Sequence, residues 1–138
     1  MDLIMPTWID QKEIIDDAGN LQILEFPFNF KRLYYIHGVP NGAKRGFHAH
    51  KSLHQIFLLP QGSLTLELIT PNASETYFLD SATSQALLVP PGYWRVMSNF
   101  SSNAICLVLA SEHYDETDYI RNFEEYINWF NQVVDNEG

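Results

Sequence analysis

Between Arg45 and Gly62 the chain reads RGFHAHKSLHQIFLLPQG, and three histidines, His48, His50 and His54, fall within seven residues of it. An imidazole titrates near neutral pH, so such a cluster suits either proton transfer or metal ligation. If the stretch is a strand, His48 and His50 point to one face, because side chains alternate. The cations gather here too. Five of the eight Lys and Arg residues, Lys31, Arg32, Lys44, Arg45 and Lys51, lie between positions 31 and 51 of a chain whose net charge is −9. Either the protein has solvated faces of opposite sign, or it carries a local anion site beside the histidines.

The elements that must position these residues read as strands. FNFKRLYYI, HAHKSLHQIFLLP, SLTLELIT, ETYFLD, QALLVPPG and AICLVLA are short apolar runs separated by turn signals such as VPNGAKRG, QG and PNAS. That pattern predicts one all-β domain, a sandwich or barrel, over residues 1–138. The ending differs: Phe123, Tyr126, Ile127, Phe130, Val133 and Val134 recur at helical spacing, predicting an amphipathic helix over about 117–135 with Asp115 or Thr117 as its cap. In the first strand, Phe28, Phe30, Arg32, Tyr34 and Ile36 share a face that looks inward, which puts a cation and a phenol inside the barrel.

Composition closes off other classes. Hydrophobic residues make up 46% and aromatics 14%, as in a folded globular protein. The acidic balance argues against a nucleic-acid partner. The apolar runs are too short to span a bilayer, and the start, MDLIMPTWIDQKEIIDD, lacks the pattern of a secretory leader, so the expected location is cytoplasmic, with no membrane partner. Cys106 in AICLVLA reads as a small core residue, and the NAS and NFS triplets at Asn72 and Asn99 as chance matches to glycosylation sites.

Spacing adds detail. Gly42 is followed by five residues, His48-Ala49-His50, four residues, Gln55, six residues and Gly62; later Pro90-Pro91-Gly92 precedes Arg95 and Asn99. This resembles the paired signature of the cupins, jelly-roll β-barrels. Metal-binding cupins use two histidines, a glutamate and a later histidine, but here Gln55 and Arg95 stand at the last two positions. Gln55 offers a weak neutral oxygen, and Arg95 has no lone pair and stays charged, so no metal is expected. The side on which His54 falls is open at this point. Two histidines, Tyr34, Arg32 and Arg95 around one cavity suit metal-free acid–base chemistry.

RGFHAHKSLHQ, LLVPPGYWRVMSNFS and LVLASEHYDETDYIRNFEEY together resemble the nucleotide-sugar 3,4-ketoisomerases, and the likeness covers nearly the whole chain. It implies a cupin barrel and a homodimer with swapped strands that needs neither metal nor cofactor. The implied reaction moves the ketone of dTDP-4-keto-6-deoxyglucose from C4 to C3, in deoxyaminosugar biosynthesis for a lipopolysaccharide or S-layer glycan. By the same resemblance His48 is the principal base, His50 assists transfers between oxygens, and Tyr34 is a relay or donor. Arg32, Arg45 and Arg95 are the diphosphate candidates, Gln55 joins the substrate-binding set, and Tyr93 and Trp94 either shape the pocket or pack in the core. His54 stands where an acidic residue is expected, and Arg95 where some members carry histidine. The alternatives are a metal-free C3 or C5 epimerase of the same sugar, a non-catalytic sugar-nucleotide binding module and, last, a metal-dependent dioxygenase.

Overall fold

The computed structural model describes residues 1–134. Its strands are β1 (Thr7–Asp10), β2 (Lys12–Asp16), β3 (Gly19–Ile23), β4 (Arg32–His37), β5 (Arg45–His50), β6 (Gln55–Gln61), β7 (Ser63–Thr70), β8 (Ala73–Asp80), β9 (Gln85–Val89), β10 (Trp94–Ser98), β11 (Ile105–Ala110) and β12 (Tyr119–Ile120), followed by one α-helix, α1 (Phe123–Val133). Two five-stranded sheets face each other, in the orders β1-β9-β6-β11-β4 and β12-β5-β10-β7-β8. Every pairing is antiparallel, which is the jelly-roll architecture the sequence implied.

Alternation explains the layering. In β7, Leu64, Leu66 and Leu68 are buried while Ser63, Thr65 and Glu67 are not. They meet Phe57, Leu87, Val108 and Cys106 from the facing sheet, so Cys106 is the small core residue expected. In β4, Arg32, Tyr34 and Ile36 are half-buried and Leu33, Tyr35 and His37 exposed, again as alternation requires. Phe28 and Phe30 precede that strand rather than belonging to it, and Phe30 is 43% exposed.

Two expectations need correction. The run HAHKSLHQIFLLP is not one strand. It is the end of β5 and most of β6, which lie in different sheets. The break at residues 51–54 has a polar cause. The Lys51 N–H donates to Asp118 O, and the Ser52 N–H and hydroxyl both donate to Asp118 Oδ1, so the chain is held away from the β5 ladder. The C-terminal helix is also shorter than the range 117–135. Residues 116–118 form a single 3-10 turn capped by Asp115, residues 119–120 pair with β5, and α1 starts after Asn122, whose side chain accepts the Glu125 N–H. Position 135 lies outside the described residues. The helix packs as its periodicity predicts. Tyr126 and Phe130 are buried against Trp94, Ala49 and Ile120, and the Tyr126 hydroxyl sits 2.7 Å from Gly92 O.

Three N-terminal strands have no counterpart in the sequence reading. β1 extends the first sheet beside β9, whereas β2 and β3 form a hairpin that joins neither large sheet and leaves Ile14, Ile15 and Leu21 exposed. No helix among the described residues is long and apolar enough to cross a membrane.

A bulge sets the approach to the histidines. Arg95 pairs with His48 and Val96 with Gly46, so Phe47 is the extra residue of β5, at φ 58°, after Gly46 at φ 103°. A Cβ on Gly46 would stand 2.8 Å from Arg95 O. Gly46→Ala is therefore expected to cost about 1–3 kcal/mol from backbone conformation alone, with the contact adding to it. Urea unfolding of the variant should show a lower midpoint, and an unchanged midpoint would refute the strained bulge.

Candidate active site

β5 and β4 face each other across one end of the barrel and bring His48, Tyr34, Arg32 and Arg45 to a common cavity of about 370 Å³. Tyr119 and Arg121, from and just after the short β12, complete its wall. A second cavity of about 350 Å³ lies on the other side of Arg32 and Tyr119, with Ser52, Tyr114 and Asp118 in its lining.

Hydrogen bonding fixes the state of both imidazoles. His48 Nδ1 lies 3.1 Å from Gly46 O. A carbonyl only accepts, so Nδ1 carries the proton and Nε2 is left as a free acceptor on the cavity wall. His50 Nδ1 lies 2.9 Å from Asp118 Oδ2, which assigns its proton in the same way. Its Nε2 is buried and has no partner among the described residues. The two rings meet edge to face at 5.0 Å, and Tyr119 packs against both, at 5.1 Å from His48 and 4.3 Å from His50. His50 is 0% exposed, so it stands behind the cavity wall rather than on it.

Burial and one buried cation set the charges. His48 is pushed down to about 3, first by burial and then by Arg95 and His50. His50 is pushed down to about 4 by burial; the bond to Asp118 pulls the other way without overcoming it, and Arg95 adds to the fall. Burial works against the Asp118 carboxylate, but the hydrogen bonds from His50 and Ser52 outweigh it and hold the group down at about 2. Burial raises Tyr34 to about 12, so it keeps its proton.

Arg95 and Gln55 are each 1% exposed and lie beneath the site. Arg95 Nη1 donates to Gln55 Oε1, Arg95 Nη2 donates to Tyr93 O, and Gln55 Nε2 donates to the Tyr34 oxygen at 3.0 Å. The Tyr34 oxygen is therefore an acceptor inside the fold, and its own hydrogen is free to point into the cavity. Burial lowers Arg95 to about 10, which still leaves it charged at neutral pH. A guanidinium bonded to Gln55 places a cation and a neutral amide where a cupin metal would need donors, so the residues present do not fit such a metal. Among the described residues no group of three or more His, Cys, Asp or Glu gathers to hold one elsewhere.

The rim is cationic. Arg32 lies over the rings of Tyr34 and Tyr114, at 5.6 and 5.7 Å, and makes no hydrogen bond or ion pair among the described residues. Arg45 is exposed at the mouth. Arg121 lies 4.3 Å over the Tyr119 ring and grips Glu116 through Nε at 2.6 Å and Nη2 at 2.9 Å.

The sequence-derived set thus divides. His48, Tyr34, Arg32 and Arg45 share the cavity, and His50 lies one layer behind. Arg95 and Gln55 brace Tyr34 from below instead of lining the cavity. Tyr93 turns its hydroxyl to Ile4 O, and Trp94 packs on Phe123 and Tyr126, so both belong to packing and neither shapes this pocket. His54 lies against Phe28 and joins neither imidazole. Asp118, Tyr119 and Arg121 were missed. Their block, ASEHYDETDYIR, was singled out for its likeness, but assigning it to the helix gave no reason to place it against the histidines.

The family pattern FdtA: WxcM-like, C-terminal matches residues 5–131. The chain is 44% identical over 126 residues to the TDP-4-oxo-6-deoxy-α-D-glucose-3,4-oxoisomerase of Aneurinibacillus thermoaerophilus, covering 86% of this chain and 90% of that protein. It superposes on QdtA, a sugar 3,4-ketoisomerase of Thermoanaerobacterium thermosaccharolyticum in complex with TDP, with a TM-score of 0.87 and 40% identity, covering 92% and 95% of the two chains. A histidine-to-asparagine mutant of QdtA in complex with TDP-4-keto-6-deoxyglucose gives a TM-score of 0.89 at 38% identity, covering 95% and 97%.

The depressed imidazoles give a sign that can be checked. A lowered pKa means the neutral form persists as pH falls, so His48 and His50 should stay neutral at pH 5 and take up protons only toward about 3 and 4. NMR titration of the histidine ring carbons should show no midpoint near 6.5 for either residue, and such a midpoint would contradict the buried, cation-flanked environment.

Proposed function

The chain belongs to the FdtA family of the nucleotide-sugar 3,4-ketoisomerases, and from that premise we propose that it moves the ketone of TDP-4-keto-6-deoxyglucose from C4 to C3. The observation that carries the reading is the free Nε2 of His48 on the wall of an arginine-rimmed cavity, opposite the free hydroxyl hydrogen of Tyr34.

The chemistry needs proton transfer and no net oxidation. The C4 carbonyl acidifies the C3 hydrogen. His48 Nε2 takes that proton, and the electron pair of the C–H bond becomes the enolate C3=C4, with negative charge on O4. Tyr34 donates to O4, and the enediol results. His50 Nε2 takes the O3 proton and passes it to the Tyr34 phenolate while the protonated His48 returns its proton to C4, which leaves the ketone at C3 and all three side chains in their starting states. Atoms and charge balance without a redox partner. The buried Arg95 charge behind Tyr34 stabilises the enolate as it forms. His50 Nε2, buried beside His48 and Tyr119, is the other imidazole acceptor of the site, and it serves the oxygen-bound proton. Arg32 and Arg45 hold the diphosphate, the Arg32 side chain making no hydrogen bond or ion pair among the described residues and so being free to grip phosphate oxygens. In this reading the enzyme is cytoplasmic and serves deoxyaminosugar assembly.

The test is incubation with TDP-4-keto-6-deoxyglucose in deuterated water containing a chelator, followed by NMR. The ketone should migrate to C3 with exchange at C3, and His48→Asn should fall by about a hundred- to ten-thousand-fold while still binding TDP. Tyr34→Phe should lose less exchange than turnover. Inversion at C3 or C5 with the ketone retained at C4 would replace the reading with an epimerase, and full activity in His48→Asn would end the proposed base.

We also propose a homodimer with exchanged N-terminal strands. Its support is the β2–β3 hairpin, which carries exposed Ile14, Ile15 and Leu21 and joins neither sheet, and the open edge of β4 with exposed Leu33 and Tyr35. Sedimentation at micromolar concentration should give twice the 15.9 kDa chain mass, and a monomer would count against it.

A further inference from the structure

His50 is set by one carboxylate. Asp118 Oδ2 accepts from His50 Nδ1 at 2.9 Å, while Oδ1 accepts the Ser52 N–H at 2.7 Å and the Ser52 hydroxyl at 2.8 Å. The main chain of Asp118 is pinned as well, because its O accepts the Lys51 N–H at 3.0 Å and its N–H donates to Asp115 O at 3.1 Å. Neither carboxylate oxygen is free to leave, so the acceptor facing His50 Nδ1 is fixed in place. The opposite nitrogen, Nε2, is buried and unpartnered among the described residues. Leaving a buried acceptor unsatisfied costs about 1–3 kcal/mol, so a position that retains one calls for an explanation.

We propose that Asp118 is a positioning residue for the isomerisation, holding His50 as its Nδ1–H tautomer so that Nε2 remains an acceptor for the sugar's oxygen-bound proton. The proposal rests on the ketoisomerase reading. Asp118 touches no reacting atom in it and acts only through the orientation and tautomer of His50.

An amide at this position separates shape from tautomer. Asparagine has one acceptor oxygen where aspartate has two. The Ser52 backbone N–H can only donate, so it claims that oxygen, and the amide NH2 then faces His50 Nδ1. A donor there forces the proton of His50 onto Nε2. The Ser52 hydroxyl can rotate to suit either partner, so the turn itself survives.

The experiment compares wild type with Asp118→Asn, reading turnover of TDP-4-keto-6-deoxyglucose, affinity for TDP and the ring-nitrogen NMR shifts of His50. In wild type the His50 proton should be on Nδ1. In the variant it should move to Nε2, TDP affinity should hold, and kcat should fall by about a hundredfold or more. Undiminished kcat in Asp118→Asn overturns the proposal, and so does a fallen kcat with the His50 tautomer unchanged, since the loss would then be structural. Should the variant fail to fold, the wild-type spectrum still decides, because a His50 proton on Nε2 there overturns the assignment. Absence of turnover in the wild type removes the isomerase reading itself, a result distinct from any of these.

Discussion

The site is arranged around a buried charge that makes no ion pair among the described residues. Arg95 is buried to 1% exposure and meets Gln55 Oε1 and Tyr93 O rather than a carboxylate. Desolvating a guanidinium costs several kcal/mol, and two neutral oxygens return only part of that. What the fold gains is a fixed positive potential behind the reacting groups. It helps to hold His48 and His50 neutral, and through Gln55 it fixes the oxygen of Tyr34. The same residue bears on metal binding, because a guanidinium has no lone pair and its Gln55 partner is a neutral amide, so the pair offers a poor donor set.

A second constraint joins two distant parts of the chain. The end of β5 and the 3-10 turn at residues 116–118 are stitched by Asp118, and the two residues that follow pair as Tyr119 with His50 and Ile120 with Ala49. This junction ends β5, redirects the chain into the other sheet and sets Tyr119 against both imidazoles. Packing supports it from outside, where α1 buries Tyr126 and Phe130 on the reverse of the same strand pair. The helix expected from its aromatic stripe as simple cover is therefore also what holds one wall of the cavity in position.

The period-two signal made part of this legible. Arg32 with Tyr34 could be assigned to a common face because β4 is regular, and His48 with His50 because both follow the bulge at Phe47, so alternation holds across each pair. The signal fails where backbone polar groups find partners outside the ladder. Nothing apolar marks the break at Lys51–His54, and its cause lies 66 residues away, between Ser52 and Asp118. The same long-range bond hid Asp118, Tyr119 and Arg121, because a neighbouring helical stripe absorbed them. Tyr93 and Trp94 were ambiguous for a related reason: Tyr93 precedes β10 and Trp94 begins it, and the PPG turn does not say which buried side either one faces. The exposed β2–β3 hairpin escaped notice because its alternation, Ile14 and Leu21 among charged and polar residues, is short and its apolar side is not covered within the chain.

Charge distribution also decides how such a site recognises its ligand. The protein carries −9 overall, and a nucleoside diphosphate sugar is itself an anion, so the average field opposes approach. Salt at physiological strength screens that field beyond about 8 Å, which leaves recognition to groups at the mouth. There Arg45 is exposed, Arg32 is unpaired above two aromatic rings, and Arg121 is held by Glu116 at the edge of the same cavity. Arg32 and Arg45 make no ion pair among the described residues, so neither charge is neutralised there by a carboxylate. Arg121 is different, since a phosphate would have to compete with a bidentate carboxylate for it. The geometry therefore separates the three arginines: Arg32 and Arg45 make no ion pair among the described residues, and Arg121 is held by Glu116 beside the Tyr119 ring. His48 shares that cavity with the arginines and, buried beside Arg95, keeps the neutral form with a free Nε2.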